Sequence, residues 1–535
     1  MSQLSNIEKK AGRLIVGRLP GTNLPEEFRT SFKTGGLGGI TLFRENCQGL
    51  EQIANLISEI YEVSEYSPVI SVDQEGGAVQ RFDRAIGSIP SAMVYAACPD
   101  RELIQSIFKR SCQQLKLLGV NILLAPVLDV LTNPVNPIVS TRSYGSIPGI
   151  VERNGSEMIR IIKEAGLVPV GKHFPGHGAT LEDSHMALAI SNVDTDRLWN
   201  IDLAPFKACL SELPAVLTGH LWIKCIDDEP LPASLSPRIS TGILKDYLKF
   251  DGLVITDDLT MKGLTDSSSL ADAVVPAVEA GNHLLLVCSN MEDCVMARES
   301  LVKAVESGRL KESVLDNAIG KIEQALPPRP EREMLAPSSK KVFSLLKDLR
   351  QSVERDGLIA ASTSAALLRG NTGRLEEEKE WIVLAPDHPR YDLGLAEHLN
   401  DICGSKYGDD APAFKDVRYS LNPEFEENKR ISAELTAKNC IYITFRCLLN
   451  EGQMQLGQMV ADQASRKIAV CPDTPFDYEG LPEWPCVIAT YDPCDRAIKG
   501  LALALVDGSL SSKAASFFAR LLEGVSVINR NRVVN

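Results

Sequence analysis

Along residues 1–325, short apolar runs rich in β-branched residues recur between longer stretches whose apolar positions repeat every three or four residues. A brief apolar run bounded by glycine or polar residues predicts a buried strand, and the longer spacing predicts an amphipathic helix. The predicted strands are Arg13–Gly17, Gly39–Phe43, Val69–Asp73, Asn121–Ala125, Val168–Lys172, Ala215–Thr218, Leu253–Thr256 and His283–Val287. Leu50–Tyr61 and Arg101–Leu118 are predicted helices between them. Strands that alternate with helices require a parallel sheet, and eight of them suffice to close a TIM-type (β/α)8 barrel. An open doubly wound sheet is the alternative. Most of these strands, however, end in polar residues able to do chemistry, as the mouth of a barrel requires.

The pattern breaks at Leu326–Pro337, LPPRPEREMLAP, where proline removes amide donors and fixes φ. The chain therefore divides into a barrel over residues 1–325, a linker over 326–339 and a second domain over 340–535. In the second domain a helix is predicted over Lys340–Ala361. Strands follow at Trp381–Ala385, Cys440–Phe445, Lys467–Cys471 and Cys486–Tyr491, with helices at Arg390–Leu399 and Asp495–Val506. This series predicts a three-layer αβα sandwich. It contains no GxGxxG or GxxxxGK[ST], so no nucleotide cofactor is expected.

Composition narrows the function classes. A chain of 535 residues exceeds one core, and 44% apolar with 24% charged residues is an ordinary globular balance. The net charge of −14 argues against nucleic acid or an anionic membrane as a partner. The first residues lack a signal peptide's apolar stretch and no run has the length of a membrane span, so the expected location is the cytoplasm. Thirteen cysteines without a CxxC pair read as reduced core thiols, not as disulfides or a zinc site. A homodimer is left open.

Chemistry concentrates where the strands end. Val170–His185, VGKHFPGHGATLEDSH, carries Lys172, His173, Asp183 and His185 on a strand end and the loop after it. The third strand leads into DQEGGAVQR, with Asp73 and Arg81, and the fourth into APVLDV and STRSYG, with Arg142. The sixth ends at His220 and the seventh at Asp257 and Asp258. Cations and carboxylates converging at one mouth suit a sugar, whose hydroxyls need charged and bidentate partners in place of water.

Taken together, DQEGGAVQR, APVLDV, STRSYG, KHFPGHG with DSH beyond it, and GLVITDDLTM resemble glycoside hydrolase family 3, in its bacterial β-N-acetylglucosaminidase branch. The resemblance spans the first domain. It implies a retaining β-N-acetylglucosaminidase acting on non-reducing ends of β-linked, peptidoglycan-derived saccharides, without metal or cofactor. Asp257, in the G-[apolar]3-[ST]-D context of Gly252–Asp257, would be the nucleophile. His185 would be general acid and then base, tuned by Asp183, while Asp73, Arg81, Arg142, Lys172 and His173 would hold the N-acetylglucosamine unit. A histidine's ordinary pKa near 6.5 suits both donation and acceptance near neutral pH.

Competing readings stand beside these. One of Asp257 and Asp258 could serve only as a cap; His177 reads as a structural holder of the tight loop, His220 as either pocket lining or packing, and Glu75 as a buried partner for an arginine. Three departures from the family pattern are Ala179 in place of a common aspartate, His283 in place of another, and Tyr247 at a usually charged position. Phosphate could replace water as the final acceptor. A metal-dependent barrel hydrolase is the rival class, and it lacks an HxH pair on the first strand.

Overall fold

The structure, a computed structural model, describes residues 4–181, 188–265, 269–331 and 339–530. Its first sheet contains eight parallel strands: β1 (Ile15–Gly17), β2 (Gly39–Leu42), β3 (Val69–Val72), β4 (Ile122–Leu123), β5 (Val168–Phe174), β6 (Ala215–Thr218), β7 (Leu253–Thr256) and β8 (Leu285–Leu286). Their order is β7-β6-β5-β4-β3-β2-β1-β8. A bridge between Ile255 and Leu284 sets β7 beside β8, and the Thr256 N–H donates to the Leu284 carbonyl at 3.0 Å, closing the ring. The predicted barrel is present.

Period-two alternation builds its core. Val16, Val69, Ile122, Val170, Leu217, Ile255 and Leu286, one from each of seven strands, gather in a single cluster inside the ring. Their neighbours Ile15, Ile70, Leu123 and Leu285 instead join the cluster formed with the surrounding helices. The first strand is shorter than the pattern predicts because a helix, Asn6–Arg13, runs up to it. That helix has a capping box, in which Ser5 and Glu8 satisfy each other's backbone N–H.

The second sheet has six strands: β9 (Ala366–Arg369), β10 (Glu380–Asp387), β11 (Ala413–Ser420), β12 (Asn439–Ile443), β13 (Lys467–Cys471) and β14 (Val487–Ala489). The order is β9-β14-β13-β12-β10-β11, parallel except for β9. Trp381 and Val383 of β10 face the helices Leu395–Tyr407 and Asp495–Asp507, whereas Ile382 and Leu384 face Phe425–Glu434 and Glu451–Gln463. Both faces are covered, which is the predicted sandwich.

Two of its strands escape the sequence pattern. Edge strand β11 buries only Phe414 and Tyr419 fully and exposes Lys415 and Asp416, so it has no apolar run. The other, β9, is the single antiparallel strand. The helix predicted over Arg390–Leu399 is instead Leu395–Tyr407. Its expected first turn is held as a loop: His388 Nδ1 accepts from the N–H groups of Arg390 and Tyr391, and Asp392 Oδ1 accepts from Gly394.

The two sheets' surroundings are joined directly. Helix Lys340–Ser364 packs on helix Arg101–Leu118, with Arg110 paired to Asp356. Ser146 Oγ donates to the Leu521 carbonyl at 2.7 Å. Among the described residues no helix is long and apolar enough to cross a membrane.

Candidate active site

The pairing of β5 with β6 slips by one residue between Gly171 and Phe174. A bulge re-aims the side chains that strict alternation would send to opposite faces. Lys172 and His173 accordingly enter one polar network at the C-terminal rim of the barrel.

Lys172 Nζ lies 2.6 Å from Asp73 Oδ1, at the end of β3, and 2.6 Å from Glu75 Oε1. Arg142 grips the same Glu75 with two bonds, Nε to Oε2 at 2.8 Å and Nη2 to Oε1 at 2.9 Å. Burial is extensive, leaving 3% of the Glu75 and Lys172 side chains and 12% of Arg142 exposed. Burial alone would raise the Glu75 pKa, but Arg142 and Lys172 overcome it and hold the carboxyl far below its ordinary range. For Lys172, burial works against the charge, and Asp73 with Glu75 restores it and raises the pKa. The network is therefore a fixed set of charges. Arg81 joins more loosely, with Nη2 3.9 Å from Asp73 Oδ2. It is placed by Gln74, whose Oε1 accepts from the N–H groups of Arg81 and Phe82.

Arg142 also fixes a histidine. Its Nη2 is 3.2 Å from His173 Nε2, and guanidinium can only donate, so Nε2 accepts. Nδ1 then carries the proton and donates to Asp129 Oδ2 at 2.8 Å. The other oxygen of Asp129 accepts from the His177 N–H at 2.7 Å. One fully buried carboxylate thus sets the tautomer of His173 and anchors the next loop.

That loop is tight enough to require glycine. Gly176 has φ 133, and a Cβ there would meet the Asp202 Cβ at 2.8 Å; at Gly178 it would meet the Val130 carbonyl oxygen at 1.8 Å. His177 is buried, with Nδ1 2.7 Å from Thr180 Oγ1 and its carbonyl bonded by Asn136. Burial pushes its pKa down to about 4, as suits the structural role expected of it.

At the end of β7 the two aspartates differ. Asp258 Oδ1 accepts from the N–H groups of Thr260 and Cys288 and from the Thr260 hydroxyl. Asp258 is thereby spent as a cap, and burial raises its pKa. Asp257 is partly exposed at the rim; its Oδ1 accepts from the Asp258 N–H at 2.9 Å. His220 is buried, bonding Ser234 Oγ and the Asp258 carbonyl, and so ties the ends of β6 and β7 together instead of lining the pocket. Asp183 and His185 lie outside the described residues.

Asp73, Arg81, Arg142, Lys172 and His173 are thus brought together through Glu75, and Asp257 stands at the same strand-end rim. The residue that sequence reasoning missed is Asp129. Its signal was available, as a lone carboxylate inside the apolar run APVLDVL. Both ring nitrogens of His173 and of His220 have partners, and no three His, Cys, Asp or Glu side chains among the described residues gather as a metal-ligand set.

The three departures fall away from this network. Ala179 packs at the edge of an apolar cluster. His283, before β8, accepts the Val254 N–H at Nδ1 and sits 2.9 Å from Lys245 Nζ through Nε2; burial lowers these pKa values to about 3 and about 8. Tyr247 is exposed and rests on Trp199, with ring centroids 4.6 Å apart.

Beyond Arg81 and Arg142 opens a cleft of 1140 Å³, whose far wall includes Tyr391, Arg446, Asp473 and Arg496 from the second sheet's domain. A barrel rim set with fixed charges and a partly exposed carboxylate is a site for a polar substrate, placed where barrel enzymes carry their chemistry.

Comparison with known proteins makes the class specific. The glycosyl hydrolase family 3 N-terminal domain matches residues 6–325. A β-hexosaminidase of Idiomarina loihiensis is 30% identical over 292 residues, covering 54% of this chain and 87% of that protein. Another, of Alkalilimnicola ehrlichii, is 34% identical over 288 residues, covering 52% and 82%. The solved structure of a family 3 β-N-acetylglucosaminidase from a Paenibacillus species superimposes with a TM-score of 0.81 at 27% identity, covering 95% of this chain and 98% of that one. The chain belongs to glycosyl hydrolase family 3 and is a glycoside hydrolase.

Proposed function

We propose that this hydrolase is a retaining β-N-acetylglucosaminidase that releases non-reducing-end N-acetylglucosamine from β-linked, peptidoglycan-derived saccharides. The observation that carries the reading is the contrast at the end of β7. One carboxylate oxygen of Asp258 takes three donors that lock the strand end, whereas Asp257, the last residue of the Gly252–Asp257 motif, stands partly exposed on the strand-end rim that also carries Asp73 and Lys172. The names of the β-hexosaminidase relatives and of the Paenibacillus enzyme support the substrate class.

In the proposed reaction Asp257 attacks the anomeric carbon and forms a covalent glycosyl-enzyme, while the leaving oxygen takes a proton from His185, partnered by Asp183. Water, deprotonated by the same histidine, then hydrolyses the intermediate with overall retention. Asp73, Lys172, Arg142, His173 and Arg81 bind the sugar's hydroxyl and acetamido groups. Their mutual bonds hold them in place before substrate arrives, so little reorganisation remains for the reaction itself. Residues 1–325 form the catalytic barrel, 326–339 the linker and 340–535 the sandwich. A reducing, cytoplasmic setting is supported by thirteen free cysteines, eleven of them buried.

Release of 4-nitrophenol from its β-N-acetylglucosaminide tests the reading. Asp257→Ala should lower kcat by about 10⁴-fold or more, and a 2-fluoro sugar should label the peptide containing Asp257. Wild-type activity in Asp257→Ala, or a label elsewhere, overturns the nucleophile. The same assay with added phosphate decides the acceptor, since phosphorolysis yields the sugar 1-phosphate in place of the free sugar.

A further inference from the structure

Among the described residues, five that are not glycine have positive φ, and three of them meet where the barrel faces the sandwich: Ser140 (φ 36), Arg446 (φ 52) and Tyr491 (φ 59). Such backbone persists only where its surroundings impose it, and it tends to mark working sites. Here the bonds that impose it are visible. Arg446 Nη1 donates to the Pro137 carbonyl at 2.7 Å, while its Nε donates to Asp473 Oδ2 at 2.6 Å. The same oxygen accepts from Ser140 Oγ at 3.3 Å. Asp473 is 1% exposed. Beside this contact, Ser91 Oγ donates to the Tyr491 carbonyl at 2.6 Å and the Ser91 N–H to Asp492 at 3.0 Å.

The segment gripped in this way is the one that delivers Arg142. Pro137 and Ser140 flank Ile138, whose carbonyl accepts from Arg142 Nη1 at 3.2 Å, and Ser140 opens the helical turn Ser140–Arg142. A guanidinium can bond in two fixed directions at once, and Arg446 uses both, one toward the barrel loop and one toward its own domain's carboxylate. We propose that Arg446 and Asp473 are positioning residues, which set the Pro137–Arg142 loop so that Arg142 reaches Glu75 and His173. The sandwich domain then acts on the glycosidase through this clamp. The proposal rests on the reading that Arg142 binds the sugar.

A double-mutant cycle on the full chain tests it, with kcat/KM on 4-nitrophenyl β-N-acetylglucosaminide for wild type, Arg142→Ala, Arg446→Ala, Asp473→Ala, Asp473→Asn and each pair with Arg142→Ala. Arg446→Ala and Asp473→Ala should each lower kcat/KM by about tenfold or more in the wild-type background, yet by less than about twofold once Arg142 is gone. Asp473→Asn keeps an acceptor oxygen and should recover most of the loss. Equal losses in both backgrounds overturn the proposal, because they would mean direct substrate contact or general destabilisation. A crystal structure of Arg446→Ala supplies a measurement independent of substrate. Displacement of Arg142 from Glu75 supports the clamp, and an unmoved Pro137–Arg142 loop refutes it. If wild type cleaves no N-acetylglucosaminide, the substrate reading fails, and that crystal structure still decides the clamp.

Discussion

Asp202 sits beneath the Gly176–Gly178 loop, its Cβ against the position a Gly176 side chain would take, and it is buried with neither carboxylate oxygen hydrogen-bonded among the described residues. Arg197 Nε, 4.0 Å from Oδ2, gives only partial relief. Burial, opposed by Arg197, raises the pKa from 3.8 to about 7. The sign of the consequence follows from proton counting. Between about pH 4 and pH 7 the folded chain keeps a proton on Asp202 that the unfolded chain has released, so raising the pH favours unfolding. The loss is about 1.4 kcal/mol per pH unit across that window and levels off above it. Relative to a group that never ionises, the penalty is about 2 kcal/mol at pH 5 and about 4 kcal/mol at pH 8.

Asp202→Asn replaces the carboxyl by a neutral group of the same shape. Urea unfolding of wild type and variant at pH 5, 6, 7 and 8, followed by tryptophan fluorescence, measures the gap directly. Every other titrating group is common to the two proteins and cancels. The variant should be the more stable at pH 8, with an advantage about 2–3 kcal/mol larger than at pH 5. Curves that stay parallel across the range, or a variant that is weaker at pH 8, would refute the reasoning, since a charged Asp202 would then have found compensation in the fold.

Removing Glu75 should do the opposite. Glu75→Ala strands Arg142 as a buried cation without its carboxylate and leaves Lys172 only Asp73, and it should cost about 3–5 kcal/mol of stability, read as a lower urea midpoint; Glu75→Gln, which keeps acceptor oxygen and volume, should lose less. At the end of β7, Asp258→Asn retains acceptor oxygen for Thr260 and Cys288 and should keep kcat within about tenfold of wild type, whereas Asp257→Asn should lose about 10⁴-fold. Equal losses in the two would remove the distinction between cap and nucleophile.

How far the fold could be read ahead of the structure depends on the range of the interactions that fix each part. The eight barrel strands are legible because each buried run announces itself locally, as Leu253–Thr256 does by being apolar and bounded by glycine and aspartate. Edge strand β11 is not, because its backbone pairing to β10 tolerates a polar sequence. The helix at Leu395 begins late for a similarly specific reason, since a histidine ring nitrogen captured two amides that helical spacing had assigned to the first turn.

The site divides along the same line. Motif spacing places Asp73, Lys172, His173 and Asp257 at strand ends, and strand ends in a barrel share one rim, so their proximity follows from topology alone. What spacing cannot convey is which carboxylate neutralises which cation. Glu75 reads as a buried partner for an arginine, and it is one, but only the fold shows that the arginine is Arg142, 67 residues onward and bonded to both of its oxygens. Asp129 reads as an accident in an apolar run until His173 and His177 are seen to share it. Arg446 and Asp473 belong to a domain with no catalytic motif, and their bonds to Pro137 and Ser140 cross more than 300 residues. The groups proposed to touch a substrate are therefore written locally, as strand-end motifs. The groups that aim them are written as distant pairs, and only the folded chain brings those pairs together.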